Sequence, residues 1–350
     1  MATFSIDKVA IAGITGCVPK NIHRNVDLNI LSPDEMTKFI ESTGVEERRM
    51  VSANTATSDL CLHAANDLLD NLGWDRNEVD ILVFVSQTAD YLLPVTSAIL
   101  QDKLNLPKTC LAFDVPLGCS GYVYGISILA GMMKSCGLKK GLMLAGDTGR
   151  FVSQNDKSTL PLFGDGGSAT AFELTEDGNE IYFDLGTDGS GYEAIIVPHG
   201  GARNVLTADS LVEVEIEPGI CRSNGQLVLD GMDVFSFGIS QAPKTINTLL
   251  KEFDLDKEKI DYFVFHQANM MMNKMIAKKL KLPEEKVPYS LKEFGNTSSA
   301  TIPLTIVSQL KGKLEKDTTE FILCGFGVGL SWGTVKLGIN KNIPLSLVEY

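Results

Sequence analysis

Three short runs with almost no polar interruption restrict what this chain can fold into: Asp80-Ile-Leu-Val-Phe-Val-Ser86, the segment 139–146, and Asp261-Tyr-Phe-Val-Phe-His266. Each has the length of a strand, and a strand without polar alternation needs both faces buried. Helical segments fall between them. Ser32-Pro33-Asp34-Glu35 opens one over 32–41 with a cap residue and a proline at the first helical position, and Gly44 closes it. Another is expected over 57–72, capped by Thr57 or Ser58 and stopped by Gly73. Buried strands alternating with helices predict an α/β fold whose mainly parallel sheets are covered on both sides.

The rest of the chain continues the alternation. A first strand is expected over 8–18 and a helix over 95–104, followed by a strand over 110–115 and a helix over 121–135. A tight turn at 164–170 runs into a further strand. The stretch 173–231 is less regular and reads as strands plus an excursion over the surface. Helices are expected over 235–253, 269–280 and 298–314, with strands at 320–324 and 334–339. Asp80-Ile-Leu-Val-Phe is faintly echoed by Asp261-Tyr-Phe-Val-Phe, and no low-complexity linker separates the two.

Composition narrows the function. The 350 residues carry 44 acidic against 31 basic side chains, a formal charge of −13, which disfavours nucleic acid or an anionic membrane as the main partner. Seven cysteines without a C-x-x-C, and four histidines, indicate neither a disulfide framework nor a metal site. The start reads as a strand rather than a signal peptide, and no apolar run reaches the roughly 18 residues that span a bilayer. A cytoplasmic protein is expected.

Three polar residues sit where chemistry is usually placed in such folds. Cys119, in Phe113-Asp-Val-Pro-Leu-Gly-Cys-Ser-Gly121, falls where a strand turns into a helix start. Unpaired N–H groups and the helix dipole there favour a thiolate, and Gly118, Ser120 and Gly121 leave room for a reactant. The other reading is a small buried hydrophobe. His266 closes a strand and precedes Gln267-Ala268-Asn269, at the carboxyl end where ligand sites gather, although a packed structural histidine fits too. Asn296, in Gly295-Asn-Thr-Ser298, stands before a helix and could simply cap it. The closing turn Gly325-Phe-Gly-Val-Gly-Leu-Ser-Trp-Gly333 can aim N–H groups at an oxyanion. Its G-x-S-x-G is no serine elbow, because a strand follows it.

Taken together, and in this order, these motifs resemble the 3-oxoacyl-acyl-carrier-protein synthase III family, condensing enzymes of the thiolase superfamily. The likeness extends to Ser42-Thr-Gly-Val-Glu-Glu-Arg48 and Phe163-Gly-Asp-Gly166 and covers nearly the whole chain. It implies a thiolase-like fold of two duplicated α/β halves, 1–175 with the nucleophile and 176–350 with the histidine and asparagine, stacked as α-β-α-β-α layers. It also implies a homodimer that needs no cofactor and no metal.

Carried over by position, Cys119 would take an acyl group from a thioester. His266 and Asn296 would bind the carbonyl of a malonyl-type donor and hold the enolate left by decarboxylation. The backbone N–H groups of Cys119 and Val328 would form the oxyanion hole for acyl transfer. Leu93, Asn269, Gly327 and Gly329 would contact substrate, Leu93 from across the dimer. The resemblance fails at Lys38, Lys157 and Met271, which replace groups that grip coenzyme A, and at Val328, which replaces a glycine. Lys274, Lys278 and Lys279 form a basic patch suited to an acidic acyl carrier protein, so acyl and malonyl groups are expected on that carrier and less on coenzyme A. Two other activities fit the same residues: transfer of the acyl group to an amine, hydroxyl or other nucleophile, and a papain-like Cys-His-Asn hydrolase.

Overall fold

A computed structural model describes residues 2–176 and 178–350; Met1, the first residue of the expected N-terminal half, and Asp177 lie outside the described residues. Two mixed sheets carry the architecture. In the first, of six strands, the order is Leu345–Glu349, Val9–Val18, Gly166–Leu174, Lys140–Asp147, Ile81–Val85, Leu111–Val115. In the second, of five, it is Ala2–Ile6, Ile181–Thr187, Ser331–Asn340, Thr318–Gly327, Tyr262–Phe265. Strand Ile81–Val85 pairs in parallel with both neighbours, and Tyr262–Phe265 pairs in parallel with Thr318–Gly327.

The apolar runs are buried on both faces for a reason visible residue by residue. Ile81, Val83 and Val85 point into one core with helix Gly121–Cys136, while Leu82 and Phe84 point the other way, toward helix Thr57–Leu72. In the second sheet Val264 faces the shared core, whereas Phe263 and Phe265 pack beneath helices Gly231–Glu252 and Met270–Leu280. Helices Gly121–Cys136 and Thr301–Gln309 lie between the sheets, giving five layers in the order helix, sheet, helix, sheet, helix. Full burial of each such Leu, Ile or Phe is worth about 1.5–3 kcal/mol, and this central core draws them from both sheets.

Local signals place the elements well and their ends less well. Helix Pro33–Thr43 has the expected cap: Ser32 and Glu35 form a reciprocal capping box, and Gly44 ends it in the left-handed conformation. Helix Thr57–Leu72 is not capped by Thr57 or Ser58; Asp59 reaches back to accept the Ala56 N–H at 2.9 Å. The helix expected over 298–314 starts as a 3-10 turn at Ser298–Ala300 and stops at Gln309, short of Gly312 with its φ of 76°. Strands Ala2–Ile6 and Leu345–Glu349 were not expected: both are short edge strands with little burial of their own. The first is aligned by Ile181–Thr187 and the last by Val9–Val18, contacts distant in sequence. The excursion appears as two small antiparallel pairs, Ile195–Ile196 with Val228–Leu229 and Val214–Glu217 with Ile220–Arg222.

Candidate active site

Cys119, His266 and Asn296, separated by up to 177 positions in the chain, line one cavity of about 320 Å³. Its walls are mostly apolar, with Phe39, Phe151, Leu162, Ile195, Leu227 and Leu229 among them. Cys119 comes from the turn between strand Leu111–Val115 and helix Gly121–Cys136, whose start is seated tightly. A Cβ on Gly121 would stand 2.6 Å from Val85 Cγ1, and one on Gly125 would stand 2.8 Å from Val85 Cγ2. Two glycines one turn apart thus let the helix lie against the strand and fix the position of Cys119. Gly327, with φ of 158°, is equally constrained, since its Cβ would fall 2.7 Å from Cys119 Cβ.

The thiolate expected at Cys119 is not what these surroundings favour. Withdrawal from water pushes the thiol up to about 12, and the nearby Asp147 charge adds to this; the Ser298 side chain and the N–H of Val328 pull the other way. The physical reason lies in the fold: Cys119 precedes the first helical residue by two positions and sits under the second sheet, so desolvation outweighs the helix start. Val328, whose N–H opposes that rise, lines the same cavity as Cys119.

His266 ends strand Tyr262–Phe265, is buried, and meets the edge of Phe326. Burial holds its imidazole well below the usual range, at about 3, so the ring is neutral near pH 7. Its Nδ1 lies 2.8 Å from Thr301 Oγ1. Asn296 does not cap a helix through its own position; its Oδ1 accepts the Ser298 N–H at 2.9 Å. That bond fixes the amide and leaves Nδ2–H as the donor available to the cavity.

Asp147 is the residue sequence reasoning missed. It is buried at the carboxyl end of strand Lys140–Asp147 and lines the same cavity. Oδ1 accepts from Gln87 N at 2.8 Å, Ser86 Oγ at 3.0 Å and Thr88 Oγ1 at 3.3 Å. Oδ2 accepts from Ser299 Oγ at 2.9 Å and Ser299 N at 3.2 Å. One carboxylate therefore ties the loop after Ile81–Val85 to the loop carrying Asn296. Burial raises its affinity for a proton and these donors oppose it. An acidic residue ending a fully apolar strand was the available signal.

The remaining expected contacts divide. Asn269 and Gly327 line the cavity, and Asn269 also caps helix Met270–Leu280 by accepting the Met272 N–H at 2.8 Å. Gly329 stands in the turn beyond and does not line the cavity, because the chain there turns toward Ser331. Leu93 is on the surface, 85% exposed, and does not reach this chain's own cavity. Lys274, Lys278 and Lys279 are exposed on helix Met270–Leu280, with Lys279 donating to Ile239 O at 2.9 Å. Lys38 and Met271 are exposed, and Lys157 pairs with Glu35 at 3.6 Å. Among the described residues there is no His/Cys/Asp/Glu group suited to a metal, and no helix is long and apolar enough to cross a membrane.

Known proteins resemble this chain over most of its length. Residues 113–189 match the family model "3-Oxoacyl-[acyl-carrier-protein (ACP)] synthase III", and residues 250–339 match that of its C-terminal part. A relative from Campylobacter jejuni is 34% identical over 98% of each chain. The beta-ketoacyl-[acyl-carrier-protein] synthase III of Ehrlichia canis is 32% identical over 93% of this chain and 97% of its own. The crystal structure of a 3-oxoacyl-(acyl-carrier protein) synthase from Burkholderia xenovorans superimposes with a TM-score of 0.93 at 36% identity, covering 100% of this chain and 99% of that one.

Proposed function

The chain belongs to the 3-oxoacyl-[acyl-carrier-protein] synthase III family of thiolase-like condensing acyltransferases, and on that premise we propose that it joins an acyl group held on Cys119 to a malonyl-type thioester. The reaction is a decarboxylative Claisen condensation of fatty acid biosynthesis, giving a 3-oxoacyl thioester. The observation that carries the assignment of residues is the convergence of Cys119, His266 and Asn296 on one apolar cavity, with the Asn296 amide held as a donor by Ser298 N–H.

Cys119 Sγ attacks the thioester carbonyl, whose oxygen is held by the N–H groups of Cys119 and Val328. The apolar walls receive the acyl chain. Asn296 Nδ2–H, together with His266, then takes the malonyl thioester carbonyl and holds the enolate oxygen as CO₂ leaves. Preorganised donors of this kind are each worth about 100- to 1,000-fold in rate. The donor is an acyl carrier protein, docking on Lys274 and Lys278 at the helix that follows Asn269. Lys38, Lys157 and Met271 provide little for a nucleotide, and Lys157 already faces Glu35.

The duplicated halves, 1–175 and 176–350, work as a homodimer in the cytoplasm. Leu92 and Leu93 stand exposed, as does Leu111 on the edge strand Leu111–Val115, which supports a partner copy covering them. Incubation with a panel of acyl thioesters should add an acyl mass to Cys119, and malonyl carrier thioester should then release CO₂. Asn296→Ala should keep the acyl mass and lose CO₂ release by at least about 100-fold. Acylation without CO₂ release by the native protein would favour transfer to another nucleophile instead.

A further inference from the structure

We infer that Thr301 is a positioning residue that fixes His266 as its Nδ1–H tautomer, making Nε2 the atom that takes up and returns the Cys119 proton. The inference deepens the reading above and rests on it for its place in the reaction.

Thr301 is buried in the first turn of helix Thr301–Gln309, and its hydroxyl has one hydrogen to give. Oγ1 lies 2.8 Å from the carbonyl oxygen of Ser298 and 2.8 Å from His266 Nδ1. A carbonyl oxygen only accepts, so the hydroxyl hydrogen goes to Ser298. Oγ1 is left to accept from His266, and Nδ1 must carry the ring's hydrogen. The imidazole is neutral, so Nε2 presents a lone pair.

That assignment changes the proton path. When Cys119 Sγ bonds to the acyl carbon and the bond from that carbon to the carrier's sulfur breaks, the thiol proton passes to Nε2. The carrier thiolate leaves and is protonated by water. Nε2–H, now beside Asn296 Nδ2–H, faces the malonyl thioester carbonyl, and the negative charge of the malonyl carboxylate and then of the enolate offsets the imidazolium. The enolate carbon bonds to the acyl carbon, the Cys119 sulfur–carbon bond breaks, and the thiolate recovers the proton from Nε2. One proton from water per turnover balances the carboxylate lost as CO₂. Throughout, Nδ1 keeps its hydrogen on Thr301.

The same segment orients the second donor. Ser298 contributes its carbonyl to Thr301 and its N–H to Asn296, so the turn Asn296–Thr301 sets the polarity of both groups that meet substrate.

Imidazole ¹⁵N NMR of the full chain tests the assignment without turnover, with the His266 signals identified among four histidines by their loss in His266→Asn. A protonated Nδ1 and a bare Nε2 are expected at neutral pH. Thr301→Val should raise the Nε2–H population and lower kcat by about 10- to 100-fold, and Thr301→Ser should restore both. A native spectrum with the hydrogen on Nε2 overturns the inference, as does Thr301→Val with native spectrum and native kcat. Should the valine variant not fold, the native spectrum and the serine variant still decide. Native protein that fixes Nδ1–H yet releases no CO₂ would sink the condensing reaction while leaving the tautomer in place.

Discussion

Cys119 carries a thiol that its surroundings hold protonated, and this has a measurable consequence. With the thiol near 12, the thiolate fraction at neutral pH is small and grows tenfold for each pH unit. Alkylation of Cys119 by iodoacetamide should therefore climb with a slope close to one from pH 7 to 10, where an ordinary cysteine levels off near 8.5. Desolvation is the main cause and Asp147 the second, so Asp147→Asn should move the curve to lower pH without removing the rise. Levelling off below pH 8 in the native protein would contradict the environment described. Mass mapping of the alkylated peptide keeps the other six cysteines out of the reading. Under the proposed reaction Cys119 gives up its proton only as it attacks, rather than resting as a thiolate.

Helix Gly121–Cys136 does its work by proximity. It fills the space between the sheets, and its first residues touch strand Ile81–Val85 so closely that side chains are excluded at Gly121 and Gly125. Gly121→Ala would place a methyl 2.6 Å from Val85 Cγ1 and 3.2 Å from Leu117 Cβ. Overpacking of this kind costs about 1–3 kcal/mol, so the urea midpoint should fall with little change in slope. The helix start would also lift, carrying Cys119 with it, and acylation should slow even in the folded fraction. A variant of native stability and native acylation rate would show that the helix start is not held by this contact.

At the scale of the whole molecule, the charge distribution points to how substrate arrives. A chain of net charge −13 keeps a basic helix face beside the residues leading from His266. Lys279 is tied to the Ile239 carbonyl, so Lys274 and Lys278 are the better pair to reverse. Lys274→Glu with Lys278→Glu should raise KM for carrier-bound acyl groups by about 10-fold at low salt, and by less as ionic strength rises. Turnover of small N-acetylcysteamine thioesters should be unchanged. Equal loss with both kinds of thioester would place the lysines in folding rather than docking.

How much of this could be read from the chain alone follows the range of each interaction. The apolar runs at 81–85 and 262–265, the Ser32–Glu35 capping box and the stop at Gly44 are local signals, and each element stands where they put it. The motifs around Cys119, His266 and Asn296 were legible for the same reason, as short strings beside element ends. Ala2–Ile6 and Leu345–Glu349 were not, because an edge strand is defined by the partner it pairs with, here Leu185 and Ile14 in the first pairs of the two registers. Likewise the cap of helix Thr57–Leu72 depended on which of several polar residues turned back. Tertiary structure alone decided the ionisation of the site. Whether Cys119 is a thiolate depends on the balance between a helix start nearby and burial beneath a second sheet, and only the packed fold sets burial. Asp147 and Thr301 gained their places the same way: a carboxylate bridging two loops and a hydroxyl between Ser298 and His266 have no signature until distant segments meet.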